Sequence, residues 1–251
     1  MELTYKLLSY FLLSVSLGLS LFSMLVRPSA TGAGFIKLIN NVNISSLMLL
    51  LVLEHSTPYL IVVGIILATL ILGPVLAEGK GSKVYPLNFL IQNGGIGYLI
   101  YMFLGKEFNY SNFYLISGMG YLGIITYAMI LGHWYLVVPK LTEWHLKKAL
   151  ITFWAVLPLK LCLLGYAYFS NESLFVSGSN GAMGYMFNWI MLLMRLGWGY
   201  LVIAIMGYYT WRLTKMRSIQ SATGVLYVMT FFVFIGELIA GYYHFKYGIS
   251  L

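Results

Sequence analysis

Eight stretches of about twenty apolar residues run through this chain, and each is closed by a short break rich in Gly, Pro, Ser or charge. A bilayer core takes about twenty predominantly apolar residues per helical span. Inside it, only helices and closed barrels satisfy every backbone polar group. The stretches cover residues 5–26, 35–54, 58–77, 85–104, 112–138, 147–169, 183–211 and 219–245. Between them lie Arg27-Pro28-Ser29, Ser56-Thr57-Pro58, the run from Glu78 to Lys83, Pro139-Lys140 and Ser177 to Gly181. Only 9% of the 251 residues are charged and 60% are hydrophobic, against about a quarter charged in soluble domains. The pattern predicts an all-α fold, a polytopic transmembrane bundle of about eight helices in one integral membrane domain, residues 1–251, bathed in membrane lipid. The first stretch is too long for a signal-peptide core and reads as a span. The second is polar in its first half, with Lys37, Asn40, Asn41 and Asn43, which predicts an interfacial stretch or one wall of a wet cavity.

Lys and Arg are distributed unevenly over the breaks. Ten of them, Arg27, Lys37, Lys80, Lys83, Lys140, Lys147, Lys148, Arg212, Lys215 and Arg217, fall on one side; three, Lys6, Lys106 and Lys246, fall on the other. The positive-inside rule puts the first set in the cytoplasm and both termini on the non-cytoplasmic side. This also accounts for the net charge of +8: with no basic run and no soluble domain, nucleic acid is not expected as a partner.

Several features bound the chemistry. Cys162 is the single cysteine, which rules out an intramolecular disulfide, a cysteine-ligated iron–sulfur cluster and a c-type haem motif. Walker loops, Gly-x-Ser-x-Gly elbows and His-Glu-x-x-His zinc pairs are missing, and the Gly-x-Gly-x-x-Gly run from Gly118 to Gly123 lies inside an apolar span, not in the strand-to-helix turn of a dinucleotide fingerprint, arguing against an NTPase, a soluble-type oxidoreductase or a metalloprotease. No internal repeat relates the halves, which disfavours an inverted-repeat transporter. Pro74 and Pro158 fall inside spans, where each removes a backbone hydrogen bond. Gly94, Gly95 and Gly97 in the fourth span, with Gly118, Gly120 and Gly123 in the fifth, predict close helix approach.

The two remaining cations, Lys160 and Arg195, stand with Glu237 deep inside apolar stretches. An ionisable group at the bilayer centre costs about 2.5–3.5 kcal/mol on insertion scales, so it marks a pathway, a ligand site or an internal pair. The predicted topology brings all three between the bilayer centre and its outer half, as one buried polar cluster. Two cations against one anion leave a surplus positive charge, suited to an anion, a semiquinone or a propionate. Two plainer readings stand beside it, a structural Arg195–Glu237 pair and a snorkelling Lys160.

His133, Trp134 and Tyr135 close the fifth span. His133 lies roughly 8 Å inside its boundary at 1.5 Å per residue, a depth that suits a quinone head group, and a histidine there can hydrogen-bond and exchange a proton. The alternative is an interfacial histidine within an aromatic belt. On the outer side, His55 and His244 are candidate ligands of a b-type haem, which needs two imidazoles at one depth. Interfacial histidines are the competing reading.

Two segments carry a resemblance: Gly132 to Val137 with Pro139 and Leu141, and Arg217-Ser218 with Gln220 to Val228, followed by Gly236-Glu237-Leu238. Together they are similar to a family of eight-helix bacterial integral membrane proteins with no assigned activity. This implies a multi-pass protein of the bacterial inner (cytoplasmic) membrane. In architecture alone, the chain also resembles quinone-binding membrane anchors of the polysulfide-reductase type. The expected function is an integral membrane subunit of a respiratory electron-transfer complex, binding quinone with or without b-type haem and working with other subunits. A transporter or channel with a buried polar path, and a structural or assembly subunit, are the alternatives.

Overall fold

The structure, a computed structural model, describes residues 2–26, 28–77, 84–105, 109–138, 141–177 and 184–250. Eight long helices follow one another: α1 (Glu2–Phe22), α2 (Ala33–Leu53), α3 (Thr57–Ala77), α4 (Val84–Leu104), α5 (Tyr110–Val137), α6 (Trp144–Ser170), α7 (Tyr185–Lys215) and α8 (Ile219–Tyr247). Among the described residues, seven are long and apolar enough to cross a membrane, and α3 is apolar over Thr57–Leu72. The chain is therefore a multi-pass helical membrane bundle. Arg27, Lys80, Lys83, Lys106 and Lys140, which enter the charge count, lie outside the described residues, as do Glu78–Lys83, Pro139 and Gly178–Gly181 of the predicted breaks.

Local chemistry sets the helix ends. Asn109 caps α5, its Oδ1 accepting the Asn112 N–H at 2.9 Å. Gly248, with φ of +69°, closes α8 by donating its N–H to His244 O. Helix α5 is the centre of the bundle: 78% of its apolar window is buried, against 33% in α2, α6 and α7. It packs against α1, α6 and α8, while α2, α3 and α4 extend the bundle on the far side of α1. Outward-facing Ile61, Ile65, Ile71 and Leu72 of α3 and Phe231 and Leu238 of α8 present apolar surface to lipid.

Of the six glycines expected to make close faces, three do. Gly123 of α5 meets Gly18 of α1 backbone to backbone, Gly118 lies under the Glu237 carboxylate, and Gly95 lies against Ile66 of α3. Gly94, Gly97 and Gly120 face open space; each lies one or two positions from Gly95 or Gly118, and residues that close on a helix point in different directions. A further close contact joins Gly199 of α7 to Gly236 of α8. In α3, Pro74 has no N–H to give to the carbonyl four residues back, that of Leu70. Asn40 of α2 supplies the missing donor, its Nδ2 standing 2.8 Å from Leu70 O. The polar half of α2 thus turns inward at Asn40 and Asn43, both buried, and leaves Lys37 and Asn41 exposed.

Candidate functional site

Lys160, Arg195 and Glu237 come together. Each lies ten residues from the same end of its helix: Lys160 from Ser170, Arg195 from Tyr185 and Glu237 from Tyr247. A constant rise of about 1.5 Å per residue then puts them at one depth. Side-chain exposures are 0%, 0% and 1%. Glu237 Oε1 lies 3.3 Å from Arg195 Nη2 and 3.7 Å from Lys160 Nζ, and Glu237 Oε2 accepts the Tyr10 hydroxyl at 3.1 Å. Lys160 does not snorkel: its ammonium donates to Tyr114 O at 3.2 Å and lies 4.1 Å from the Tyr114 ring centroid.

The guanidinium of Arg195 is held on all three nitrogens. Nε donates to the Tyr114 hydroxyl at 3.1 Å, Nη2 to the Tyr200 hydroxyl at 3.0 Å, and Nη1 to Gly236 O. The backbone between Arg195 and Tyr200 explains that grip. Residues Gly197–Val202 form a π turn, whose i→i+5 bonding aligns residues five apart; in an α-helix they would diverge by about 140°. The Gly199 carbonyl in this turn accepts the Tyr121 hydroxyl at 3.1 Å.

The surplus cation of the cluster is met by neutral groups. The ring faces of Tyr114 and Tyr200 lie 5.5 and 5.4 Å from the Arg195 guanidinium, and the carbonyls of Tyr114 and Gly236 take up cationic donors. None of the three ionisable side chains leaves a buried polar atom without a partner. Chemically, the cluster is a lock: one carboxylate ties α8 to α1, α6 and α7, and Tyr114 adds α5. Sequence reasoning missed Tyr10, Tyr114 and Tyr200. Tyr10 and Tyr200 lie well inside their spans, beyond the reach of an aromatic belt, and that position was the available signal.

The trio at the end of α5 does not share a face, because consecutive helical residues turn about 100° apart. His133 is exposed, its Nδ1 2.9 Å from the Tyr227 hydroxyl of α8. Trp134 turns to the α1–α2 connection, donating Nε1–H to Thr31 O at 3.1 Å. Tyr135 is buried, donates to Thr142 O and accepts the Leu146 N–H at 3.3 Å. His55 is exposed in the bend after α2, a helix packed on α1 and α3. His244 lies on α8 with Nδ1 2.8 Å from Ser111 Oγ of α5.

Tyr135 also lines an open cleft between the α5–α6 and α7–α8 connections, together with Leu141, Thr142, Arg217, Ser218 and Gln220. Glu143 bridges the two connections, its Oε2 3.2 Å from Arg217 Nε and its Oε1 3.4 Å from Lys147 Nζ. Arg217 holds a φ of +59°, uncommon for a residue with a Cβ. The carboxyl of Glu143 is held below the usual carboxylate range by its own backbone N–H, with Arg217 and Lys147 adding to the effect. Both segments of the sequence resemblance meet here and just beneath, where a Cβ on Gly132 would press on Thr223 and where His133 meets Tyr227. In comparisons with protein-family models, curated proteins and solved structures, none matches this chain.

Proposed function

We propose that this protein is the quinone-binding integral membrane subunit of an electron-transfer assembly in a bacterial inner membrane, with both termini on the non-cytoplasmic side. The observation that carries the reading is the cleft between the α5–α6 and α7–α8 connections. Its space for water centres is about 620 Å³, within the roughly 300–1,000 Å³ of small-molecule sites. Its walls combine apolar Leu141 and Ile219 with polar Thr142, Ser218, Gln220 and Arg217 and with Glu143, whose charge is paired with Arg217 and Lys147, a mixture that suits a carbonyl-bearing ring. A bound quinone would supply the two-electron, two-proton chemistry. The exposed Gln220 amide and the terminal nitrogens of Arg217 would hold its carbonyls, and Tyr135, whose hydroxyl is committed to Thr142 and Leu146, would form a rigid wall. The proposal names quinone alone: His55 lies in the connection after α2, and His244 on α8 is bonded to Ser111 of α5. The excess of cations on the loops flanking the cleft supports a cytoplasmic location.

The test is quinone content. Protein purified natively in mild detergent is extracted for quinone, titrated with a short-chain quinone analogue and examined for an optical redox signal with its co-purifying chains. Near-stoichiometric quinone, or saturable analogue binding, weakened in Gln220→Leu and blocked by Leu141→Trp, is the expected result. Absence of both in folded protein overturns the reading.

A further inference from the structure

A second site lies on the other flank of the bundle. Helix α1 carries Ser16 and Ser20, and Ser23 opens the 3-10 turn that continues it, at spacings of four and three that place the three on one side. Across from that side, α2 presents Asn40 and Asn43, and α4 presents Asn88 and Gln92. These side chains, with Ser20 and Ser23, line an inward cleft whose space for water centres is about 30 Å³. One water needs about 10–15 Å³ by this measure, so the occupant is the size of one or two waters. Two of the lining side chains are buried to 1% exposure and have an atom with no partner, the Ser20 hydroxyl and the Asn43 carbonyl oxygen. The Ser16 hydroxyl, one turn deeper, is also buried without a partner.

The free atoms share one chemistry. Asn40 has an amide hydrogen committed to Leu70 O, and the Ser23 hydroxyl is donated to Ser20 O at 2.7 Å. Amide N–H groups remain on Asn40, Asn88 and Gln92, but the two buried lining atoms without a partner, Ser20 Oγ and Asn43 Oδ1, are both oxygens with lone pairs to offer. Ser20 can turn its proton to the helix backbone and present a lone pair too. Six neutral side chains therefore surround a water-sized space with amide and hydroxyl oxygens, and no carboxylate, histidine or cysteine is among them. Hard cations take oxygen ligands, but a divalent ion relies on carboxylates to balance its charge. We infer that the cleft between α1, α2 and α4 binds a single, partly dehydrated monovalent cation, with Ser20 and Asn43 as ligands at its floor. The inference is independent of the quinone reading, which concerns a different cleft.

The test uses the full chain in nanodiscs of zwitterionic lipid, at constant ionic strength, with choline chloride replaced stepwise by sodium, potassium or lithium chloride. One of the three alkali ions is expected to raise the melting temperature saturably, and equilibrium dialysis with its radioisotope should give about one ion per chain. Ser20→Ala removes one oxygen at nearly constant volume and should raise the half-saturating concentration about tenfold, equivalent to about 1.4 kcal/mol. Gln92→Met should act in the same direction. Identical melting in choline and all three alkali salts, an undiminished response in Ser20→Ala, or equal stabilisation by magnesium would overturn the assignment.

Discussion

Arg195 and Tyr200 lie five residues apart on α7, yet the guanidinium Nη2 and the phenol oxygen are 3.0 Å apart because the π turn Gly197–Val202 brings them to one face. A hydrogen bond to a buried charged group contributes about 1.5–3 kcal/mol. Tyr200→Phe should therefore lower stability by about that much while leaving the helices intact. Denaturation in mixed micelles measures it, and a Tyr200→Phe protein as stable as the parent would deny the phenol its part in the lock.

The cluster should respond unequally to loss of its members. Glu237→Gln strands two buried cations and should cost about 3–5 kcal/mol. Lys160→Met leaves the Arg195–Glu237 pair balanced and should cost clearly less. The double replacement Arg195→Met with Glu237→Leu should regain only part of the loss, because Lys160 stays buried without its carboxylate. Thermal unfolding of the four proteins decides the order; a Lys160→Met protein less stable than Glu237→Gln would contradict it.

Glycines of α5 provide a steric control. A Cβ on Gly118 would overlap the Glu237 carboxylate and the Tyr10 hydroxyl, whereas one on Gly120 meets nothing. Gly118→Ala should destabilise by about 1–3 kcal/mol through overpacking. Gly120→Ala should be neutral or slightly stabilising, since alanine is the better helix former. Equal melting temperatures for the two variants would count against the packing described.

The Glu143–Arg217 bridge should depend on pH. The folded carboxyl titrates below its ordinary value of 4.5. Its contribution is therefore complete above that value and is lost as pH falls through the lower folded value. Spin labels at Thr142 and Gln220 should keep one separation from pH 7 to about pH 5 and spread apart in stronger acid. Glu143→Gln should show the wider distribution already at pH 7. A change in separation between pH 7 and pH 5 in the parent protein would refute the bridge as the controlling contact.

Orientation can be read directly. With ten of the thirteen boundary cations on one side, a cysteine at Lys215 in a Cys162→Ser background should be shielded from an impermeant thiol reagent in intact cells and react after permeabilisation. Labelling in intact cells would reverse the topology.

The helices were legible in the sequence, with α6 and α8 beginning or ending within a few residues of the apolar runs, because span length depends only on local composition and bilayer thickness. Depth was legible for the same reason: a constant helical rise makes position along a span a distance, and Lys160, Arg195 and Glu237 do converge. Rotation about each helix axis was not legible, since it is settled by neighbouring helices. Tertiary packing alone decided that Tyr10, Tyr114 and Tyr200 close around the carboxylate, that Gly123 rather than Gly120 of α5 meets Gly18 of α1, and that a π turn re-aims Tyr200. It also decided that His133, Trp134 and Tyr135 each find a partner on a different element. Composition sets how deep a residue lies in the membrane, and packing sets which way its side chain points.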